Sequence, residues 1–544
     1  MSHRKQLICS FARNTSAHGF FDIYRTRHFW RLLWLVALCA AWALCGYMIT
    51  LTVIEYLAFP TQTGVKVEYM RNAEFPAVTV CNLNPFRLSK MEEAYRGVTA
   101  ALLAKQQQTT LEAFTQTRRR SSRERIRGGH AQVVTWMRRR TFLDRVNISE
   151  VGHQLHTMLL DCSYQGYDCG PADFVKWEHS VFGMCYTFIV NNTNYSTFYG
   201  PDYGLQLALY AEINEYLPLV TQETGFRVYI NAKEYVAFPS ELGFTVSPGM
   251  ATSVALRQQQ ISRQPLPYDN TDCATTFTHN IYKFWQTLFG DRFADYRMNY
   301  TTLACYTSCY HYQIGVQCDC VDATQLTATQ AEDTFAQSKV ACDQTNDTVN
   351  SCIENVTREA LTKCGDECPG ACAEVQYQQR TSASRWPNDD YFQMMFPAWA
   401  AQTGDLCALI NSHLEGDVAA LPCDDLASLV NMNRTERRRL RKVLWHVGNA
   451  VRNMIGKLDV FFEELNHELI VEHPTYTFPT LLASVGGTLG LYSGLSLLSV
   501  LEFIELALRW LCPGAKPADV GDDNKHRDTK GSDNKNRIKR ADHH

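Results

Sequence analysis

From Leu481 to Leu506 the sequence LLASVGGTLGLYSGLSLLSVLEFIEL sets small and hydroxyl-bearing side chains into an otherwise apolar run. Gly486, Gly490 and Gly494 recur every fourth residue, Ser484, Thr488, Ser493 and Ser496 lie near the same side, and Glu502 and Glu505 follow at i and i+3. Hydroxyls and glycine-freed backbone are tolerated in an apolar medium where they face a water-filled path, and a ring of such oxygens replaces part of a cation's hydration shell. Gly494-Leu495-Ser496 is the candidate ring, and the two glutamates are a candidate mouth at which carboxylates concentrate cations. Two other readings stay open: the glycines also fit a close-packed helix interface, and the glutamates also fit interfacial carboxylates beside Arg509. One helix cannot enclose a path, so conduction requires several copies around an axis.

Such a helix must be held in a membrane. Leu32 to Ile54 contains no Lys, Arg, Asp or Glu, and a second uncharged stretch runs from about Pro474 to Leu501; about 20 such residues cross the hydrocarbon core. The first stretch is too long, and starts too far in, for a cleaved signal peptide, and no small-residue cleavage pattern follows it. Arg25, Arg27 and Arg31 precede the first stretch, and Lys516, Lys525, Arg527, Lys530, Lys535, Arg537, Lys539 and Arg540 follow the second. The positive-inside bias therefore predicts two spans with both termini cytoplasmic. The expected segments are a cytoplasmic lead (1–31), a first span (32–54), an outer domain (55–473), a second span (474–510) and a cytoplasmic tail (511–544).

Two properties of the middle segment agree with an oxidising exterior. Of 20 cysteines, all but Cys9, Cys39, Cys45 and Cys512 fall there, an even set of 16, as expected where disulfides persist. Glycosylation sequons begin at Asn147, Asn191, Asn194, Asn299, Asn346, Asn355 and Asn433. Asn14 starts another, which this topology makes unusable. A formal net charge of −4 over 544 residues points to no nucleic-acid partner. No nucleophile constellation supports an enzyme, and Cys318-Asp-Cys320 with Cys364, Cys368 and Cys372 would suggest a metal only in a reducing compartment.

Along the outer domain, the alternation around Val78 and Val80 predicts a strand, residues 91–160 look helical and polar, and 205–266 carry short strand-like runs. The basic run from Thr117 to Gly129 reads as a solvated loop, or, through Arg120-Ser-Ser-Arg123, as a convertase cleavage site. Residues 299–372 are cysteine-dense, as where crosslinks replace core. A polar helix is expected over Thr435–Lys457, then a strand from Leu458 leading into the second span.

These residues together resemble the degenerin/epithelial sodium channel/acid-sensing ion channel superfamily. His18-Gly19 resembles its gating pair, FPAVTVCNLN (Phe75 to Asn84) its post-span signature, and LDVFFEELN with the Leu481–Leu506 run its pre-pore strand and pore helix. The resemblance implies an α+β membrane protein in which two transmembrane helices flank a large disulfide-rich extracellular domain of palm, β-ball, finger, thumb and knuckle. It further implies a homotrimer, or a heterotrimer with related subunits, in the plasma-membrane bilayer, with amiloride-sensitive Na⁺ permeation and no cofactor. Gly494-Leu495-Ser496 falls on the family's Gly-x-Ser selectivity filter, Ala483 on the degenerin position, and Ser484 beside it in the gating region. The pairing implied is Cys81 with Cys185, Cys162 with Cys169, Cys273 with Cys372, Cys305 with Cys368, Cys309 with Cys364, Cys318 with Cys352 and Cys320 with Cys342. Cys407 and Cys423 remain to join each other.

The stimulus is read partly from what is missing. Acid-sensing members carry a His-rich stretch after the first span, whereas IEYLAFPTQTGVKVEY has no histidine, and FYGPDYGLQL lacks the lysine expected before the Gly-Leu strand. An extracellular peptide of the FMRFamide type is the expected ligand. Proton gating, with Glu212, Glu215 and Glu234 in an acidic pocket, and constitutive conduction are the alternatives. From other classes, an ATP-gated purinergic-type channel would need clustered basic residues in strand context, and Arg118 to Arg127 lack it. A non-conducting receptor would tolerate a large residue at Ser496.

Overall fold

The computed structural model describes residues 11, 15, 19–97, 99–100, 104, 146–189, 196–217, 220–268, 272–279, 298–322, 340–342, 346–402, 406, 408, 411, 434–435, 438, 442 and 451–511. The backbone forms two units, Phe59–Thr475 and the two end segments Met1–Ala58 and Tyr476–His544.

The end unit begins with a short helix α1 (Phe20–Arg25) and a 30-residue helix α2 (His28–Leu57). Helix α2 contains the expected span 32–54 and overshoots it at both ends, because span length follows hydrocarbon thickness and helix length does not. At 1.5 Å per residue it reaches about 45 Å, against about 30 Å of hydrocarbon. Its large apolar side chains are mostly exposed, and Cys45 is its buried residue. Thr50 and Thr52 donate their hydroxyls to the carbonyls of Gly46 and Met48, so neither enters the apolar medium with an unmet proton.

The outer unit runs β1 (Thr61–Tyr69), β2 (Ala77–Asn82), α3 (Leu88–Ala94), β3 (Leu159–Tyr164), β4 (Tyr167–Asp168), β5 (Phe174–His179), β6 (Gly183–Phe188), β7 (Leu205–Tyr210), β8 (Phe226–Asn231), β9 (Phe244–Val246), β10 (Met250–Ser262), α4 (Thr302–Gln317), α5 (Asp347–Glu367), β11 (Ala373–Arg385), α6 (Asp389–Gln402) and β12 (Ile455–Pro474). One sheet has the order β11-β10-β12-β7-β3-β4, with β1 added on β12, and a second has the order β5-β6-β2-β8-β9. Strand β12 is the spine of the first, pairing parallel with β10 and antiparallel with β7 and β1.

Strand β2 is buried throughout, beyond what its alternation predicts. Val78 and Val80 join Leu205, Phe226, Val228, Val460 and Phe462 in the main core. On the other side Cys81 packs with Trp177, Phe182 and Cys185, and Thr79 hydrogen-bonds Thr187 at 2.9 Å. The signature continues into two buried asparagines: Asn82 Nδ2 donates to the Ala211 carbonyl (3.0 Å), and Asn84 Oδ1 accepts from the Leu217 N–H (3.1 Å). Burying an amide costs free energy unless it is bonded, so these residues fasten the segment after β7 to the end of β2.

Among the described residues seven disulfides form, with the partners that the resemblance implies: 81–185, 162–169, 273–372, 305–368, 309–364, 318–352 and 320–342. Cys305 and Cys309 are four apart and share a face of α4, while Cys364 stands in the last turn of α5 and Cys368 is the residue that follows its end. The two bonds thereby strap α4 to the end of α5. Cys407, Cys423 and the Thr117–Gly129 run lie outside the described residues.

Two helix-to-strand boundaries differ from expectation. Leu159 begins β3, so the helical reading of 91–160 ends too late; its buried Leu159 and Leu160 pack into the sheet. Likewise the polar helix does not reach Lys457: β12 starts at Ile455, whose register partner is Tyr210, and Lys457 pairs with Ala208. Cross-strand pairing, invisible to helical periodicity, decides both.

The chain then re-enters the end unit as α7 (Phe478–Ser493) and α8 (Leu497–Leu511). Pro474, expected at the start of the span, ends β12 instead, and α7 begins behind a Thr477 cap whose hydroxyl accepts from the Thr480 N–H.

Candidate ion-conduction site

Helices α7 and α8 bend by 73° at their break and, taken as one span, are long and apolar enough to cross a membrane, as α2 is alone. The break falls on Gly494-Leu495-Ser496. Gly494 closes α7 in the left-handed conformation (φ 65°, ψ 17°), its N–H bonded to the Gly490 carbonyl at 3.0 Å; an L side chain is disfavoured in that conformation. Ser496 opens α8. Its hydroxyl accepts from the Ser499 N–H (3.2 Å), while the Ser499 hydroxyl accepts from the Ser496 N–H (3.1 Å). This reciprocal pair is a capping box with serine at both ends.

The remaining hydroxyls are oriented by their own helix. Thr488 Oγ1 donates to the Ser484 carbonyl (2.8 Å) and Ser493 Oγ to the Leu489 carbonyl (2.6 Å). A hydroxyl whose proton is so used has only lone pairs left to offer, the polarity a cation requires. A Cβ built at Gly486 or Gly487 meets nothing within 4 Å, and Ala483 is exposed while Ser484 is half-buried. This face of the single chain is open, as both the packing and the lining readings need.

Helix α8 carries the two glutamates, Glu502 half-buried and Glu505 exposed. Against it lie Phe11 and Thr15. Thr15 Oγ1 donates to Glu502 Oε2 at 2.9 Å, and the Phe11 and Phe503 rings are 5.0 Å apart. Gly19 of the expected gating pair sits at φ 87°, where a Cβ would stand 3.1 Å from Leu38 of α2, so glycine serves both conformation and close approach. His18 lies outside the described residues. Between the helices, the Cys45 thiol faces the Thr488 carbonyl at 3.9 Å.

In the outer unit the three glutamates of the expected acidic pocket are divided. Glu212 is 1% exposed and bonds His153 Nδ1 at 2.7 Å; Arg87 stands 3.6 Å from Glu212 and 3.8 Å from Glu215. Asn84 bonds the other ring nitrogen of His153 at 2.9 Å. Glu234 belongs to a second group, beside Lys233, which pairs with Glu74, and burial raises its carboxyl above the usual range. Buried charges are retained where they are paired, and pairing has sorted these carboxylates into separate networks.

Sequence reasoning missed Thr15, Arg87 and His153, whose partners are distant in the chain. It also missed Phe59, which follows α2 within the outer unit and packs edge-on against Tyr268 at 5.6 Å. Only the Ser496/Ser499 pair had a local signal, the spacing of a helix cap. Of the sequon asparagines, Asn147, Asn299, Asn346 and Asn355 are exposed, and Asn191, Asn194 and Asn433 fall outside the described residues.

Residues 11–506 match the family model described as amiloride-sensitive sodium channel. Acid-sensing ion channel 4-B of Danio rerio is 25% identical over 92% of this chain and 75% of its own length. Degenerin-like protein unc-105 of Caenorhabditis elegans is 28% identical over 65% of this chain and 35% of its own length. Epithelial sodium channel subunit alpha of Xenopus laevis is 23% identical over 94% of this chain and 83% of its own length. These are ion channels and not enzymes, and a match that takes in the whole outer unit together with the helix break makes the chain a member of the amiloride-sensitive sodium channel family, a sodium channel subunit of the plasma membrane.

Proposed function

We propose that this chain is one subunit of a trimeric, sodium-selective, amiloride-sensitive channel, homomeric or assembled with related subunits, that opens to a short extracellular peptide of the FMRFamide type. The observation that carries the conduction reading is the helix break at Gly494-Leu495-Ser496. It interrupts an otherwise apolar helix and sets the Ser496 hydroxyl, whose oxygen also caps α8, at one level beside the exposed turn of the backbone, which suits a filter whose oxygens replace hydration. In this reading α2 and the bent α7–α8 pair are the two spans, both termini are cytoplasmic, Glu502 and Glu505 form the inner mouth, and His18, Gly19, Ala483 and Ser484 act in gating. Na⁺ is the permeant ion and no cofactor is required.

Peptide gating rests on the missing histidines after α2. One observation favours a second reading, proton gating: the buried His153–Glu212 pair couples an imidazole to a carboxylate inside the outer unit. Whole-cell current from the expressed chain decides, recorded at rest, at acid pH and with amidated peptides, each with and without amiloride. Peptide-evoked, amiloride-blocked Na⁺ current is the expected result. Current evoked by acid alone transfers the assignment to the second reading, and resting current that neither stimulus changes excludes both.

A further inference from the structure

Phe11 and Thr15, four residues apart in the chain, both touch α8. The Thr15 N–H bonds the Phe11 carbonyl at 2.9 Å, a turn that puts Phe11 and Thr15 on one face, and that face meets the consecutive residues Glu502 and Phe503. The ring pair supplies apolar contact, and the Thr15 hydroxyl donates to Glu502 Oε2 at 2.9 Å. Farther along, the tight approach of Gly19 to Leu38 ties the same segment to α2. Phe11, Thr15 and Gly19 are thus each held against α8 or α2, and Thr15 brings a neutral donor to the Glu502 carboxylate.

We infer that Thr15 is a positioning residue for the inner mouth: its hydroxyl holds the Glu502 carboxylate in the orientation in which it attracts permeating cations. This rests on the reading of Glu502 as a mouth residue. A hydroxyl suits the task because it fixes one oxygen without cancelling the negative charge, where a lysine or arginine would neutralise the site. Glu505, exposed one turn on, adds a second charge to the mouth and has no part in the Thr15 bond.

The test uses the full-length channel in cells. A Thr15→Cys/Glu502→Cys pair, oxidised and digested, reads the contact by the mass of the crosslinked peptide. Single-channel conductance reads the role. Thr15→Val is expected to lower inward Na⁺ conductance roughly twofold, as partial loss of cation focusing predicts, and Thr15→Ser to restore it. In a Glu502→Gln background Thr15→Val should change nothing further. Absence of the crosslink overturns the contact, and full conductance in Thr15→Val overturns the role even if the crosslink forms. Unchanged conductance in Glu502→Gln sinks the mouth reading itself, a failure distinguishable because the crosslink survives it. Should Thr15→Val fail to reach the surface, Thr15→Ala in the same cycle and the crosslink still decide.

Discussion

His311, on α4, is 1% exposed, and neither of its ring nitrogens has a hydrogen-bond partner among the described residues. Burial lowers its pKa to about 4, with the Asp322 carboxylate pulling the other way. An unfolded histidine titrates near 6.5, so below that pH the unfolded chain takes up the proton first. The outer domain should be at full stability above about pH 6.5 and lose stability as pH falls toward about 4; His311→Leu should flatten that part of a thermal-melt profile. An unchanged slope removes His311 as the cause. For His153, replacement by alanine leaves Glu212 buried with one partner fewer, and breaking a buried pair costs about 3–5 kcal/mol; denaturant unfolding of His153→Ala against His153→Gln checks it. Little of this was legible beforehand. Residue types announce disulfides and sequons, but whether a histidine is paired, orphaned or exposed depends on which distant strand or helix covers it.

Elements were more readable, because their signals are local. The strand at Val78, the long helix and the cysteine-dense region all follow from periodicity and composition, though not the helices that carry those cysteines, and the signals fail at edges such as Ile455 where a partner strand outvotes the pattern. The cysteine pairing was not contained in spacing and entered through resemblance; its physical logic is the four-residue repeat on α4 and at the end of α5. Replacing Cys305 and Cys368 by serine opens a crosslink of sequence separation 63 and should cost about 2–4 kcal/mol. Its effect should be confined to α4–α5, so hydrogen exchange should rise there and stay unchanged in β2, β6 and β8. The Phe59–Tyr268 contact makes a different prediction. The loop after β10 leads to the helical pair and Phe59 leads to α2, so Tyr268→Ala should reach the surface normally and give smaller stimulus-evoked currents; undiminished currents exclude the contact as a coupling element.

For the whole molecule, the two-span plan with inside termini came from flanking charge and compartment markers, neither of which requires knowing the fold. It predicts glycans at the exposed Asn147, Asn299, Asn346 and Asn355 and none at Asn14. Glycosidase digestion of single Asn→Gln variants should shift mobility for each of the four and not for Asn14→Gln, and a glycan at Asn14 would reverse the topology. What no single chain displays is the assembly. A Cβ at Gly486 or Gly487 meets nothing within 4 Å, and in the proposed assembly that open face turns to other subunits or to the ion path. Sequence therefore carried the plan of one subunit further than it carried the arrangement of several.

Gly494 and Ser496 each answer to two demands, and that restricts how the channel can change. The break needs a residue at ease in the left-handed region and a residue that caps a helix; the proposed ion path needs small, neutral groups at the same level. Asn satisfies the first demand at 494 and obstructs the second, and Asp caps well at 496 but adds charge to the ring. Few substitutions satisfy both conditions. If the proposed filter stands at this break, selectivity and helix geometry are tied to the same codons, and drift in one is checked by loss of the other.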